Sequence, residues 1–146
     1  MSASDPVTSE RFPLLLFFDG ECVFCNRWVN RVRDADQGRR IRFGTKQGTT
    51  FAQLAQSHPE LAKVESLVLA IRRPDGGEDF LVRSAAVREL VKGLPGFGFW
   101  SALLTIFPTF LANIGYCIFA KLRTPLFGRE ESCRVPKASE KILFVE

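Results

Sequence analysis

The stretch Leu14-Leu-Leu-Phe-Phe-Asp-Gly-Glu-Cys-Val-Phe-Cys25 decides the fold of this chain. Its first five residues form a short, continuously apolar run, the pattern of a strand buried on both faces, and Asp19-Gly20 supplies turn chemistry directly after it. Two cysteines then stand three residues apart. Beyond them Trp28, Val29, Val32 and Ala35 recur at three- and four-residue spacing, with Arg27, Asn30, Arg31 and Arg33 between them. This periodicity predicts an amphipathic helix that ends near Gln37-Gly38.

Working outward, Ile41-Arg-Phe-Gly44 alternates as a second strand, and Thr49 or Thr50 is placed to cap a short helix carrying Phe51, Leu54 and Ala55 as far as His58-Pro59. Leu67 to Ile71 reads as another buried strand. The turn-forming Arg72-Arg-Pro-Asp-Gly-Gly77 and then Asp79-Phe-Leu-Val-Arg83 complete a β-hairpin, after which Ser84 stands as the N-cap of a helix buried through Val87, Leu90 and Val91. The order is a βαβ unit followed by a β-hairpin-α unit, an α/β fold with a mixed sheet and helices on its faces. Residues 1–12 read as a flexible leader and 13–146 as one domain with a helical C-terminal extension, in which 97–123 is an apolar helical pair and 124–146 a basic tail.

The composition agrees with one globular domain: 146 residues, 46% hydrophobic and 25% charged, exclude a disordered or collagen-like chain. A net charge of +4, with no nucleic-acid module, gives no reason to expect DNA or RNA as a partner. Arg27, Arg31, Arg33, Arg39, Arg40 and Arg42 cluster around the first helix, which fits a solvated face or attraction of an anionic partner. Four cysteines are too few for a disulfide-stapled scaffold, and the N-terminal residues lack a secretory pattern, so the expected location is cytoplasmic and reducing, with membrane association left open. That second option comes from Phe97 to Ala120, where no Asp, Glu, Lys or Arg occurs. Pro108 interrupts the run, which therefore reads first as a buried or half-buried helical pair, with a homodimer face or membrane contact as alternatives.

In a reducing compartment a close cysteine pair signals redox chemistry or metal. At a helix N-terminus the unpaired amides and the positive end of the macrodipole stabilise a thiolate. Cys22 is then expected as the exposed nucleophile and Cys25, one turn on, as the resolving thiol. A carboxylate beside a thiolate disfavours the anion, so Asp19 either relays a proton from Cys25 or holds the loop as an Asx-turn. A zinc module built on Cys22, Cys25, Cys117 and Cys133 lacks a second Cys-x-x-Cys or a histidine pair, and His58, the single histidine, reads as solvent-facing. Cys117 is expected to be buried, and Cys133 to be a structural thiol or a third redox thiol.

The motif Asp19-Gly-Glu-Cys22-Val-Phe-Cys25 resembles the DCC family of thiol-disulfide oxidoreductases, which is named for Asp-x-x-Cys-x-x-Cys. The resemblance continues through Arg83-Ser-Ala-Ala86, Pro108, Tyr116, Ala120, Arg123, Phe127-Gly128 and Cys133-Arg-Val-Pro136, about residues 13–136. It implies a thioredoxin-like fold. The strand-Asp19-Gly20-Cys22-x-x-Cys25-helix arrangement leads to the expected function, a dithiol that exchanges disulfides with a disulfide-containing protein or small-molecule thiol substrate, regenerated by an external reductant and needing no bound cofactor. Ala62-Lys-Val-Glu-Ser66, ahead of the third strand, has no proline where thioredoxin carries a cis-proline. The alternative from a different class is a thioredoxin-like adaptor that docks to a partner or a membrane through 97–120.

Overall fold

In the computed structural model, which describes residues 7–92, 94–127 and 143–145, the run Leu14–Phe18 is the middle strand of a five-stranded sheet. This strand, β1, pairs in parallel with β2 (Ile41–Thr45) and antiparallel with β3 (Val68–Arg72). β3 continues into an antiparallel hairpin with β4 (Glu78–Val82), and β5 (Phe144–Val145) adds in parallel to the far side of β2. The spatial order β4-β3-β1-β2-β5 is a thioredoxin-like mixed sheet with one added edge strand.

The helices follow from what each strand face must cover. Leu16 and Phe18 of β1 join Val29 and Val32 of α1 (Val23–Ala35) and Ala86 and Leu90 of α4 (Arg83–Val91) in one core. Leu15 and Phe17 point the other way, into a second core with Phe51 and Leu54 of α2 (Thr49–Ser57) and Leu61 of α3 (Pro59–Ala62). Four of the five β1 residues are at most 4% exposed. Full burial of such a side chain contributes about 1.5–3 kcal/mol, which explains why β1 reads as unbroken apolar sequence rather than as an alternation. The β3–β4 turn closes through Gly76 at φ +88° and through the Asp75 carboxylate, which accepts the Gly77 N–H at 2.8 Å.

Several sequence expectations change. Residues 7–12, read as leader, include buried Thr8, whose N–H and hydroxyl both reach the Glu78 carboxylate, and buried Phe12, flanked by the guanidinium groups of Arg11 and Arg42. The tail contributes β5, whose Phe144 ring lies 5.6 Å from that of Phe43. Helix α2 starts from Gly48 without a side-chain cap, and α3 follows it where no helix was expected. Ser84 does not cap α4, because Val82 occupies that position; the Ser84 side chain is instead buried, with its hydroxyl donating to the Asn113 side-chain carbonyl.

Pro108 separates α5 (Gly98–Ile106) from α6 (Thr109–Phe127), and Arg88 braces the break by donating to the Phe107 carbonyl at 3.3 Å and to the Thr109 hydroxyl at 3.4 Å. Both helices pack on α4. The pair is half-buried rather than fully buried, with Leu103, Leu104, Tyr116 and Phe119 partly covered. No residue of α5 is buried, and ten large apolar side chains between Phe99 and Leu126 are exposed. No single helix among the described residues is long and apolar enough to cross a membrane.

Gly44 marks where β2 is squeezed between its neighbours, since a Cβ there would stand 2.8 Å from the Val145 side chain and 3.0 Å from the Phe17 ring. The Phe17 ring is fully buried and has no room to swing away. Gly44→Ala is expected to lower unfolding stability by about 1–3 kcal/mol, read as a lower urea midpoint at an unchanged slope.

Candidate active site

β1 ends at Phe18 and hands the chain to a turn that other loops hold from outside. The Asp19 carboxylate accepts the Glu21 N–H at 3.0 Å and the Gln47 side-chain amide at 2.9 Å, while the Gln47 carbonyl accepts the Gly20 N–H at 3.1 Å. Gln47 stands just beyond β2, so the C-terminal ends of two parallel strands are strapped together. The Lys46 N–H donates to the Phe18 carbonyl at 2.9 Å, and its ammonium group reaches the Val64 and Ser66 carbonyls, tying in the loop before β3. From the helix side, the Asn26 amide donates to the Gly20 carbonyl at 2.9 Å. Asp19 thus forms an Asx-turn reinforced by Gln47. Gln47, Lys46 and Asn26 were not legible in advance: a polar loop residue carries no mark of its partner, and only the parallel pairing of β1 with β2 brings these groups together.

Cys22 occupies the N-cap of α1 in extended backbone conformation, and its sulfur accepts the Cys25 N–H at 3.4 Å. Its own N–H donates to the Asp19 carbonyl at 3.3 Å, and its carbonyl accepts the Asn26 N–H at 3.0 Å. No acidic residue lies in the first turn of α1, so nothing there opposes the positive end of the helix. Cys22 and Cys25 are both present as thiols.

Their exposure is the reverse of the sequence expectation. Cys22 is 2% exposed, whereas Cys25 is half-buried and lines a cavity of about 200 Å³ with Phe18, Phe24, Trp28, Tyr116 and Phe119. The cause is α6. Phe119 meets Phe24 edge to face at 4.8 Å, and the Tyr116 hydroxyl accepts the Leu67 N–H at 3.4 Å, so α6 closes over the start of α1 and leaves the opening on the Cys25 side. The volume of about 200 Å³ is below the roughly 300–1,000 Å³ usual for a small-molecule site and fits a single apolar side chain or group.

The other candidates fall outside this site. Cys117, expected to be buried, is exposed on α6, and Cys133 lies outside the described residues. Among the described residues no group of three or more His, Cys, Asp or Glu side chains is placed to hold a metal ion; the four-cysteine zinc arrangement includes Cys133, outside the described residues. His58 is half-buried, 3.2 Å from the Glu60 carboxylate and tilted against the Phe80 ring with centroids 4.7 Å apart. In the basic region Arg27, Arg31, Arg39 and Arg40 are exposed, whereas Arg33 and Arg42 are partly covered.

A thioredoxin-like sheet whose central strand ends in Asp-x-x-Cys-x-x-Cys at a helix N-terminus defines a class of thioredoxin-like proteins carrying a dithiol motif. Within that class the chain belongs to the DCC1-like thiol-disulfide oxidoreductase family, whose pattern matches residues 16–129. It is 32% identical over 129 residues to a chloroplastic DCC family protein of Arabidopsis thaliana, covering 86% of this chain and 71% of that one. It is also 28% identical over 141 residues to the uncharacterized protein YuxK of Bacillus subtilis, covering 95% of this chain and 99% of that one. No solved structure matches.

The exposure difference makes a direct prediction. Iodoacetamide is expected to modify Cys25 before Cys22 in the folded chain, as followed by peptide mass spectrometry, and Gln47→Ala, which releases the turn, should narrow the gap. Prior labelling of Cys22 would contradict the burial order.

Proposed function

We propose that the chain exchanges disulfides through the Cys22/Cys25 pair. The observation that carries this reading is the placement of both sulfurs on the first turn of α1, with the Cys25 N–H aimed at the Cys22 sulfur and Cys25 open to an apolar cavity. Helix amides and the macrodipole favour sulfur as the anion, and residues three apart on adjacent turns can close a disulfide with little backbone movement. Membership in a family described by thiol-disulfide oxidoreduction supports the same chemistry.

In this reading a substrate disulfide, from a protein or a small thiol, presents an apolar neighbour to the cavity. Cys25, the accessible thiol, loses its proton and attacks one substrate sulfur, forming a mixed disulfide and releasing the other sulfur as a thiolate that takes up a proton. Cys22 in turn gives up its proton and attacks the Cys25 sulfur. The Cys22–Cys25 disulfide forms, the second substrate thiol leaves, and two electrons have passed to the substrate. An external dithiol reductant restores the pair. Asp19 acts as a positioning residue, setting the turn that points Cys22 into the helix start.

Single serine variants test both the activity and the order of attack. Disulfide reduction of insulin with a dithiol reductant should fall by roughly a hundredfold or more in either Cys22→Ser or Cys25→Ser. Cys22→Ser, lacking the resolving thiol, should accumulate a mixed disulfide on Cys25 that Cys25→Ser does not form. Retained turnover in both variants would overturn the function, and trapping only on Cys22 would reverse the order.

A further inference from the structure

We infer that α5 and α6 form a docking surface for an anionic lipid monolayer, lying in the plane of the membrane rather than crossing it. The apolar side is large and outward-facing: Ile106 is 79% exposed, Phe99 73% and Phe110 64%, and Trp100, Leu111, Ile114 and Ile118 extend the surface along both helices. A continuous exposed patch of this kind marks an interaction site, whereas scattered single residues do not. No charged side chain interrupts residues 97–120.

Length and geometry set the depth. The two helices satisfy the length and composition of a span only together, and they meet at 117°. The nine residues of α5 extend roughly 14 Å, about half of the roughly 30 Å hydrocarbon core, so a bent pair enters one leaflet.

Charge selects the occupant. Residues 83–127 hold five basic side chains (Arg83, Arg88, Lys92, Lys121, Arg123) and one acidic, Glu89, which pairs with Lys92 at 3.0 Å. Arg88 is turned to the Phe107 carbonyl and Lys121 is exposed on α6, and the net positive charge of this segment complements anionic headgroups. A second copy would set two segments of the same net positive charge against each other. Tyr116 and Phe119, on the covered side of α6, line the Cys25 cavity, so the docking helix is also a wall of that cavity.

The full chain is mixed with vesicles of phosphatidylcholine alone and of phosphatidylcholine with phosphatidylglycerol, and the bound fraction is read by co-sedimentation. Affinity should be roughly tenfold or more higher on the anionic vesicles and should drop in high salt. Ile106→Asp with Phe110→Asp, both on exposed positions, should abolish binding while leaving the circular dichroism spectrum and insulin reduction unchanged; Phe99→Asp, at the start of α5, should weaken it separately. Failure to sediment with either vesicle, or equal binding to both, overturns the inference. So does a dimer in sedimentation velocity that the double substitution dissociates, since a second copy would then be the occupant.

Discussion

The fold rests on the burial of β1 from both sides. A strand in the middle of a five-stranded sheet, with helices on each face, has no solvent-facing register, so Leu15 and Phe17 serve one core while Leu16 and Phe18 serve the other. Its apolar run therefore has to end abruptly, and the chain leaves the sheet at Asp19-Gly20. The same constraint that builds the core sets where the turn, the helix start and the two thiols lie. Displacing β1 by one residue would exchange its two faces and carry Cys22 away from the N-cap of α1.

Polar groups at the exit are satisfied by neighbours that the sheet order supplies. Backbone N–H groups leaving a buried strand need partners, and here Asp19, Gln47 and Lys46 provide or receive them across the ends of β1 and β2, with the Val64–Ser66 loop joined through Lys46. This network keeps the turn rigid without placing a charge at the first turn of α1. The sulfur of Cys22 then takes a backbone donor that would otherwise face water. The opening beside Cys25 is walled by α6 as well as by α1, through Tyr116 and Phe119 on one side and Phe24 and Trp28 on the other.

Local signals carried well into the structure. The apolar run of β1, the three- and four-residue spacing of α1, the Pro-Asp-Gly-Gly turn of the hairpin and the break at Pro108 all depend on residues adjacent in the chain, and each element stands within a residue or two of its expected position. Elements that depend on distant partners did not carry. Two residues, Phe144 and Val145, are too few for a period to show, and they are a strand only because β2 offers an edge. Ser84 looks like a cap by position, but Asn113, 29 residues further on, draws its hydroxyl away.

The sequence by itself determined the central strand, the dithiol at the opening of a helix, the resemblance that names its family and the charge-free stretch around Pro108, because turn chemistry, periodicity and motif spacing are short-range properties. Tertiary structure alone decided which thiol is buried, which side chains strap the turn, and that the apolar helices face outward. Those outcomes depend on α6 crossing α1 and α4, and on β2 lying parallel beside β1, contacts between residues tens of positions apart. Burial and hydrogen-bond partnership belong to such contacts, so they become visible only when the chain has closed on itself.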